Sequence, residues 1–163
     1  METTLYNYHS SDHPELLRLL LSLQHDYFKA GASPLVLEVE KEQDTEAIYR
    51  RYIAELELEI TEGNTAIFLA KSNETTIGFI IGRVTTDDDL VHNPIGVVED
   101  WFVAEACRKL GAGFALYNKL ETWFREKGCK HLQSGTWSWN EVSIAAHKRL
   151  GFETSEIKFV KKL

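Results

Sequence analysis

A chain of 163 residues, 44% of them hydrophobic, is long enough to form one domain with a substantial core of its own. Its formal net charge of −7 argues against nucleic acid as the main partner, because nucleic-acid-binding proteins present a basic patch to phosphate groups. Two cysteines, Cys107 and Cys129, are too few for a disulfide framework, and neither belongs to a metal-ligand pair such as CxxC.

The N-terminal residues METTLYNYHSSDH contain neither a basic region nor a long apolar run. We therefore expect no signal peptide, no membrane partner and a cytoplasmic protein. Thr3–Tyr8 can form a short strand, and Asp12 and Glu15 have the spacing of a capping box. The leucine-rich run that follows predicts a largely buried first helix, and the GASP segment (Gly31–Pro34) breaks the chain after it.

The rest of the chain alternates between helical and strand patterns. From Thr45, apolar residues recur at helical spacing until Gly63 and Asn64 end the helix. The later predicted elements are, in chain order, a β-hairpin of Ala66–Ala70 and Ile77–Val84, a strand over Gly96–Val103, a helix with Phe114, Tyr117, Leu120 and Phe124 on one face, a strand over His131–Trp137, a helix from Glu141 to Gly151, and a last strand over Ile157–Val160. This order predicts a single α/β domain over residues 1–163 with a mixed sheet.

The turn RKLGAG (Arg108–Gly113) lies between a predicted strand and a predicted helix. Gly111 and Gly113 let other atoms come close to the backbone, and the first N–H groups of a helix have no partner and carry a partial positive charge. These features together predict an anion site, most plausibly for phosphate. The alternative is a turn that only packs a helix tightly on a sheet. A P-loop is excluded, because Lys-Ser/Thr does not follow the glycines, and a dinucleotide-binding motif would follow the first strand.

Three segments in order, EDWFV, RKLGAG and WNEVSIAAHKRLGF, resemble the fourth strand, the Arg/Gln-x-x-Gly-x-Gly/Ala signature and the Asn-led helix of the GCN5-related N-acetyltransferases, the GNAT family. EDWFV and WNEVSIAAHKRLG are most similar to the polyamine (diamine) acetyltransferases of that family. The resemblance implies a GNAT fold, with a mixed, mostly antiparallel sheet of about six to seven strands and about four flanking helices.

The resemblance also implies acetyl-coenzyme A as co-substrate. In the family, backbone N–H groups of the turn hold the pyrophosphate, and here they belong to Arg108, Lys109, Leu110, Gly111, Ala112 and Gly113. The fourth strand splays from the fifth in the family, and Trp101, Phe102 and Val103 would supply backbone partners to the pantetheine arm. Asn140 corresponds to an asparagine that binds the same arm, although a helix N-cap is an ordinary position for Asn.

Acetyl transfer requires the acceptor amine to lose a proton, which a carboxylate can accept directly or through water. By position in EDWFV, Glu99 matches the proposed base of the polyamine enzymes, and Asp100 is the second choice. Strand alternation predicts Glu99 on one face with Trp101 and Val103, and Asp100 on the other. The alternative for Glu99 is a substrate anchor or a structural salt bridge.

The chain departs from the family at two positions. His147 stands where the family usually has the Tyr that protonates the leaving thiolate. An ordinary imidazole, with a pKa of about 6.5, is a better proton donor at neutral pH than a phenol, but its shorter reach leaves a helix-surface histidine as the alternative. Lys109 stands where many members have Gly, which makes the turn less permissive.

The remaining candidates have plain structural explanations. Asp87–Asp89 and His92 fit no metal-binding loop, so we expect a solvated loop and no metal. Trp137 and Trp139 are interpreted as core or pocket wall, where they could contact a substrate ammonium.

From these residues we expect an enzyme that transfers acetyl from acetyl-coenzyme A to a primary amine of a small, cationic molecule. A protein or peptide amine as acceptor, or an acyl-coenzyme A-binding module without turnover, are the alternatives. The small-molecule amine is the expected partner, neither nucleic acid nor a membrane is expected, and a homodimer is compatible with the resemblance.

Overall fold

The computed structural model describes residues 3–29, 31–41 and 44–163 of the chain. The strands are β1 (Thr4–Asn7), β2 (Thr65–Ser72), β3 (Thr75–Thr85), β4 (Ile95–Val103) and β5 (His131–Ser134). The helices are α1 (His13–Lys29), α2 (Pro34–Val39), α3 (Thr45–Glu62), α4 (Ala112–Glu126) and α5 (Glu141–Arg149), with 3₁₀ turns over Ser10–Asp12 and Glu105–Cys107. Gly63 ends α3 in the left-handed conformation, as its position in the sequence predicts.

The strands form one sheet in the order β1-β2-β3-β4-β5. All neighbouring pairs are antiparallel except β4 and β5, which are parallel. The pairing of β4 with β5 is short, because it begins at Ile95 opposite His131 and ends at Val98 opposite Ser134. Two parallel strands need a crossover, and α4 supplies it. The first turn of α4 therefore follows the C-terminal end of β4.

Each face of the sheet has its own apolar core. On one face α4 packs against β2, β3 and β4 through Leu116, Leu120 and Phe124, all of which are buried. The helix lies close to the sheet because Gly82 has no side chain, and a Cβ there would meet Leu120 at 2.4 Å. On the other face, α1 and α3 bury a second cluster that includes Leu20, Ile53 and the strand residues Ile67, Phe79, Ile81 and Phe102.

A β-bulge interrupts β4 beside the end of its pairing with β5. Val98 lies opposite Gly82 and Asp100 lies opposite Ile81, so Glu99 is the extra residue of β4. A bulge shifts the alternation of side chains along its strand. Val98 and Trp101 therefore both contact the α4 core, while Asp100 bonds to α3 on the opposite face. The predicted separation of Glu99 and Asp100 onto opposite faces is wrong for this reason.

The fold class is confirmed, but the numbers of elements differ from the prediction. The described residues form five strands rather than six to seven, and five α-helices rather than four, because Ser33 caps the short helix α2 that begins at Pro34. β5 ends at Ser134 instead of Trp137. The predicted strand over Ile157–Val160 is wrong: these residues have no partner strand in the described chain, and Phe159 is 87% exposed.

Two local predictions also need correction. Phe114 is exposed, and Leu116 takes its place on the buried face of α4, because the apolar stripe runs through Leu116, Leu120 and Phe124. Asp12 belongs to the 3₁₀ turn that precedes α1. Its carboxylate accepts from the backbone N–H of His9 at 2.9 Å, so it does not form the predicted capping box with Glu15. The prediction of a largely buried first helix is confirmed by Leu16, Leu17, Leu19 and Leu20 of α1, which are buried.

Candidate active site

The sheet opens where β4 and β5 separate. Beyond Val98 and Ser134 the two strands no longer pair, yet β4 continues to Val103, so one edge of Glu99–Val103 has no strand beside it in the described chain. A cavity of about 900 Å³ lies against this edge and reaches the first turn of α4 at Gly113. The predicted cofactor residues Trp101, Phe102 and Val103 line it. The opening has the size and the unpaired backbone that an extended, amide-containing ligand needs.

The predicted anion turn lies at one end of this opening. Gly111 is the N-cap of α4 with a φ of 89°, and a Cβ built on it would have no atom within 4 Å. In the described part of the chain, the N–H groups of residues 109–113 have no acceptor. The N–H of Arg108 differs, because it donates to the carbonyl of Glu105 at 3.2 Å. The turn therefore offers five of the six predicted donors.

The side chain of Arg108 is directed away from the turn. Its Nε donates to the carbonyl of Val103 at 2.8 Å, and Nη2 donates to the carboxylate of Asp26 on α1. The guanidinium also stacks on Phe102. Arg108 thus ties the end of β4 to α1 and supports the wall of the cavity.

Lys109 takes a left-handed conformation with a φ of 65°. This region is unfavourable for a residue with a Cβ and free of strain for glycine. The conformation explains why a Gly fits this position in related sequences, and it shows that the turn keeps its shape here at an energetic cost.

Asn140 is the N-cap of α5. Its Oδ1 accepts from the backbone N–H of Ser143 at 3.1 Å, which is the ordinary capping role. The residue also lines the cavity, and its Nδ2 donates to no other group in the described chain. The cap fixes Oδ1 and leaves the amide N–H groups for a ligand.

Glu99 is held by an ion pair. Its Oε1 accepts from Arg83 Nη1 at 2.7 Å, and Arg83 also bonds to Glu59 of α3. Glu99 lines the cavity, and its side chain is about a quarter exposed (27%). The contacts of Glu99 are therefore compatible with a general base and with a structural salt bridge, since Oε1 pairs with Arg83 while the carboxylate still borders the opening.

Asp100 lies next to Glu99 and is shielded from water. Its Oδ2 accepts from the hydroxyl of Tyr52 at 2.9 Å. Desolvation raises the pKa of Asp100, the hydrogen bond from Tyr52 lowers it in part, and the neighbouring charge of Glu99 raises it further. Burial and the carboxylate of Asp100 likewise raise the pKa of Tyr52. Two neighbouring carboxyl groups thus border the same opening.

His147 is bonded through both ring nitrogens, which a free helix-surface histidine would not be. Nδ1 lies 2.8 Å from the carbonyl of Ser143, one turn earlier in α5, and Nε2 lies 2.7 Å from the hydroxyl of Ser134. The ring also packs edge-on against Trp101, with centroids 6.2 Å apart. Sequence reasoning missed Ser134. The sequence carried no clear signal for it, because the predicted strand over His131–Trp137 placed Ser134 in its middle.

Aromatic side chains form the outer wall of the cavity. Trp137 and Trp139 stack with centroids 5.2 Å apart, and Tyr27 of α1 packs against both. The prediction that these tryptophans form a pocket wall is confirmed. The Tyr27 hydroxyl and Trp139 Nε1 are buried and have no hydrogen-bond partner among the described residues. Burial, together with the charge of Glu40, raises the pKa of Tyr27.

The acidic loop at Asp87–Asp89 is organised by one asparagine. Asn93 accepts from the N–H of Asp87 at 2.9 Å and donates to the carbonyls of Asp87 and Leu90. Over residues 3–29, 31–41 and 44–163, no group of His, Cys, Asp and Glu side chains has the arrangement of a metal site. Within the same residues, no helix is long and apolar enough to cross a bilayer.

The sheet opens between two parallel strands, with a helix start at one end of the opening and carboxylates along it. This is the arrangement expected of an acyl-coenzyme A-dependent transferase. The chain belongs to the Acetyltransferase (GNAT) family, whose model matches residues 22–152. It is therefore an acetyltransferase whose acyl donor is acetyl-coenzyme A. No curated protein matches the chain with significance.

Solved structures share the fold at low sequence identity. The aminoglycoside acetyltransferase AAC(6')-Iy, in complex with the bisubstrate analogue CoA-S-monomethyl-acetylneamine, is 19% identical with a TM-score of 0.70, over 100% of this chain and 99% of that chain. The aminoglycoside 6'-N-acetyltransferase AAC(6')-IG from Acinetobacter haemolyticus is 21% identical with a TM-score of 0.69, over 98% and 99%. A transcriptional regulator from Bacillus halodurans C-125 is 18% identical with a TM-score of 0.73, over 99% and 100%. These likenesses establish the fold and leave the acceptor open.

Proposed function

We propose that the protein transfers acetyl from acetyl-coenzyme A to a primary amine of a small molecule that carries several positive charges. The observation that carries this proposal is the continuity of the opening. It runs from the unpaired N–H groups at the start of α4, along the free edge of β4, to the carboxylates of Glu99 and Asp100. An anionic, extended donor fits the first two parts, and a cationic acceptor fits the third.

The chain offers a matching contact for each part of the donor. The N–H groups of residues 109–113 would bind the pyrophosphate, because they point out of a helix start that carries partial positive charge. The free edge of Trp101–Val103 would pair with the amides of the pantetheine arm as an added strand, and Asn140 Nδ2 would donate to the same arm.

The acceptor side of the cavity favours cations. Five carboxylates line the cavity against three basic groups, and the tryptophans Trp137 and Trp139 form part of its wall. The carboxylates belong to Asp26, Glu40, Glu99, Asp100 and Glu105, and the basic groups to Lys29, Arg108 and Lys158. Carboxylates and indole faces both attract ammonium groups. A polyamine and an aminoglycoside, the acceptor class named for two of the structural neighbours, share this chemistry. We assign the acceptor to the class of small polycationic amines.

Glu99 would remove the proton from the acceptor ammonium, either directly or through one water, so that the free amine can attack the thioester carbonyl. Arg83 holds the carboxylate at the edge of the opening. His147 would be the source of the proton that the departing sulfur takes up, a role that imidazolium groups commonly have in catalysis. Asp100 would stabilise the cationic acceptor, and it is the second candidate for the base.

Coenzyme A release measured across a panel of acceptors tests the proposal. The panel contains linear polyamines, aminoglycosides, a neutral primary amine and a lysine-containing peptide, and mass spectrometry identifies each product. We expect turnover on the polycationic small molecules and little on the neutral amine. Turnover on the peptide alone would favour protein acetylation. Acetyl-coenzyme A binding by calorimetry without turnover on any amine would favour a binding module instead.

A further inference from the structure

The hydroxyl of Ser134 lies 2.7 Å from Nε2 of His147. The contacts of the other ring nitrogen, Nδ1, indicate which nitrogen exchanges a proton with Ser134. Nδ1 lies 2.8 Å from the backbone carbonyl of Ser143. Because a carbonyl oxygen only accepts hydrogen bonds, and because it lies closer to Nδ1 than the Ser143 hydroxyl does at 3.3 Å, we assign a proton to Nδ1 in both the neutral and the charged ring. Nε2 is therefore the nitrogen that gains and loses a proton, and Ser134 is its partner.

Ser134 stands at the position where the sheet opens. It is the last residue of β5 and pairs with Val98, the residue before the bulged Glu99. Its side chain borders the same cavity as His147 and Glu99. His147 approaches the opening from α5, with its ring enclosed by Trp101 and Phe152. Both bonded groups line the cavity, the hydroxyl from the end of β5 and the imidazole from α5.

We propose that Ser134 protonates the leaving thiolate and that His147 supplies the proton to Ser134. This inference rests on the proposed acetyl transfer. As the carbon–sulfur bond breaks, the sulfur takes the proton of the Ser134 hydroxyl, and Ser134 Oγ takes the proton of His147 Nε2. The imidazolium becomes neutral imidazole, the serine is regenerated, and coenzyme A leaves as the thiol. Solvent then returns a proton to His147.

A relay through Ser134 compensates for the short side chain of His147, which limits how far the imidazole extends toward the leaving sulfur. A histidine side chain is shorter than the tyrosine that it replaces in related sequences, and the hydroxyl of Ser134 extends its path toward the opening. Serine and histidine work as one unit in this arrangement, since loss of either interrupts the same proton path. Effects of residues that act as a unit are strongly non-additive.

Several charged groups surround the pair and enter the interpretation of any pH profile. The exposed residues Lys148 and Arg149 follow His147 in α5, and Glu141 begins that helix. The charged and titratable groups that border the shared cavity from other elements are Asp26, Tyr27, Lys29, Glu40, Tyr49, Glu99, Asp100, Glu105, Arg108 and Lys158. Each variant below leaves all of them in place, so a changed profile reports the pair itself.

The first test compares kcat against pH for the wild type, Ser134→Ala, His147→Ala and the double variant. We expect each single variant to lose about tenfold to a hundredfold in kcat, with the double variant no slower than the worse single one. Both single variants should lose the alkaline limb, at which the wild-type rate falls as the imidazolium is deprotonated. Ser134→Thr, which keeps the hydroxyl, should restore much of the rate and the limb.

Two results would overturn the relay. If Ser134→Ala slows turnover but keeps the alkaline limb, His147 donates directly and Ser134 is only a positioning residue. If protein quenched after mixing with acetyl-coenzyme A alone carries an acetyl group on Ser134, the hydroxyl is a nucleophile.

A second measurement needs no acceptor and so stands apart from the proposed function. The thiol of bound coenzyme A is titrated by its thiolate absorbance in the wild type, Ser134→Ala and His147→Ala. Coupling to the imidazolium through Ser134 should favour the thiolate, so both substitutions should raise the apparent pKa of the bound thiol by a similar amount. If neither substitution changes it, the relay is wrong even when acetyl transfer is active. If no amine is acetylated but the shift is present, the proposed function fails and the proton path is retained.

Discussion

Glu99 and Asp100 are consecutive in β4, yet both carboxylates bond toward α3. Glu99 pairs with Arg83, whose other partner is Glu59 of α3, and Asp100 accepts from Tyr52 of the same helix. The bulge at Glu99 produces this arrangement, because it cancels one step of the strand's alternation. Two like charges are thus held side by side at the opening, and the charge of Glu99 helps to raise the pKa of Asp100.

The role of Glu99 is tested by Glu99→Gln, which keeps the shape and removes the base. We expect kcat to fall about a hundredfold, the usual contribution of a general base. Glu59→Gln is the matched control, because Glu59 also binds Arg83 but does not border the cavity. It should keep kcat within a few fold of the wild type. A decrease of less than threefold for Glu99→Gln, with acceptor binding intact, would move the role to Asp100 or to water.

Desolvation of Asp100 predicts a pH-dependent gain of stability in Asp100→Asn. A carboxyl whose pKa is raised in the folded state holds its proton more tightly there than in the unfolded chain. Its contribution to stability is complete below the unfolded pKa of about 3.9 and is lost as pH rises through the folded value. Asn can still accept from Tyr52 and never carries the charge. We therefore expect its free energy of unfolding to exceed that of the wild type by about 1 kcal/mol at pH 7.

Urea denaturation at pH 7 and near pH 4 measures this difference. The advantage of Asp100→Asn should shrink at the lower pH, where about half of the unfolded chains and more than half of the folded ones have a protonated Asp100. A difference that is equal at both pH values would show that desolvation of the charge is not its cause. The variant should also lose activity, since the charge that it removes borders the opening.

The pyrophosphate site at the start of α4 is tested by comparing Gly111→Asp with Gly111→Asn. Both side chains tolerate the left-handed conformation better than other residues, and there is open space at this position. Only Asp brings a negative charge to the turn. We expect Gly111→Asp to raise the dissociation constant of acetyl-coenzyme A at least tenfold relative to Gly111→Asn, about 1.4 kcal/mol in calorimetry. Equal affinities in two folded variants would contradict the site.

The left-handed conformation of Lys109 predicts that Lys109→Gly is more stable than Lys109→Ala. Both substitutions remove the same charge and side chain, so the comparison isolates the backbone at this φ of 65°. Glycine is unstrained there, whereas alanine retains the strain, and the difference in the free energy of unfolding should be about 1 kcal/mol. Thermal and urea denaturation measure it. A Lys109→Ala protein as stable as Lys109→Gly would mean that the turn relaxes at no cost.

The sequence by itself determined the features that depend on short-range chemistry. Helix ends depend on residues within one turn, so the local pattern predicts them. Examples are the end of α3 at Gly63 and the starts of α4 and α5 at Gly111 and Asn140. Short apolar runs bounded by polar turn residues also predicted the hairpin and β4, because such runs are typical of buried strands. The three family motifs carried the assignment to an acetyltransferase, which the family match confirms.

Only the tertiary structure decided how the site is assembled. The register between β3 and β4 creates the bulge that places Glu99 and Asp100 on the same side of the sheet. The residues of β4 by themselves do not predict this bulge. The contact of Ser134 with His147 joins the end of a strand to a later helix, and it exists because Ser134 pairs with Val98 of β4 while His147 packs against Trp101 of the same strand. The residues Ile157–Val160 have a strand-like pattern but no neighbouring strand in the described chain. Register, side-chain direction and strand pairing depend on partners elsewhere in the chain, and a local pattern contains no information about which partner will be there.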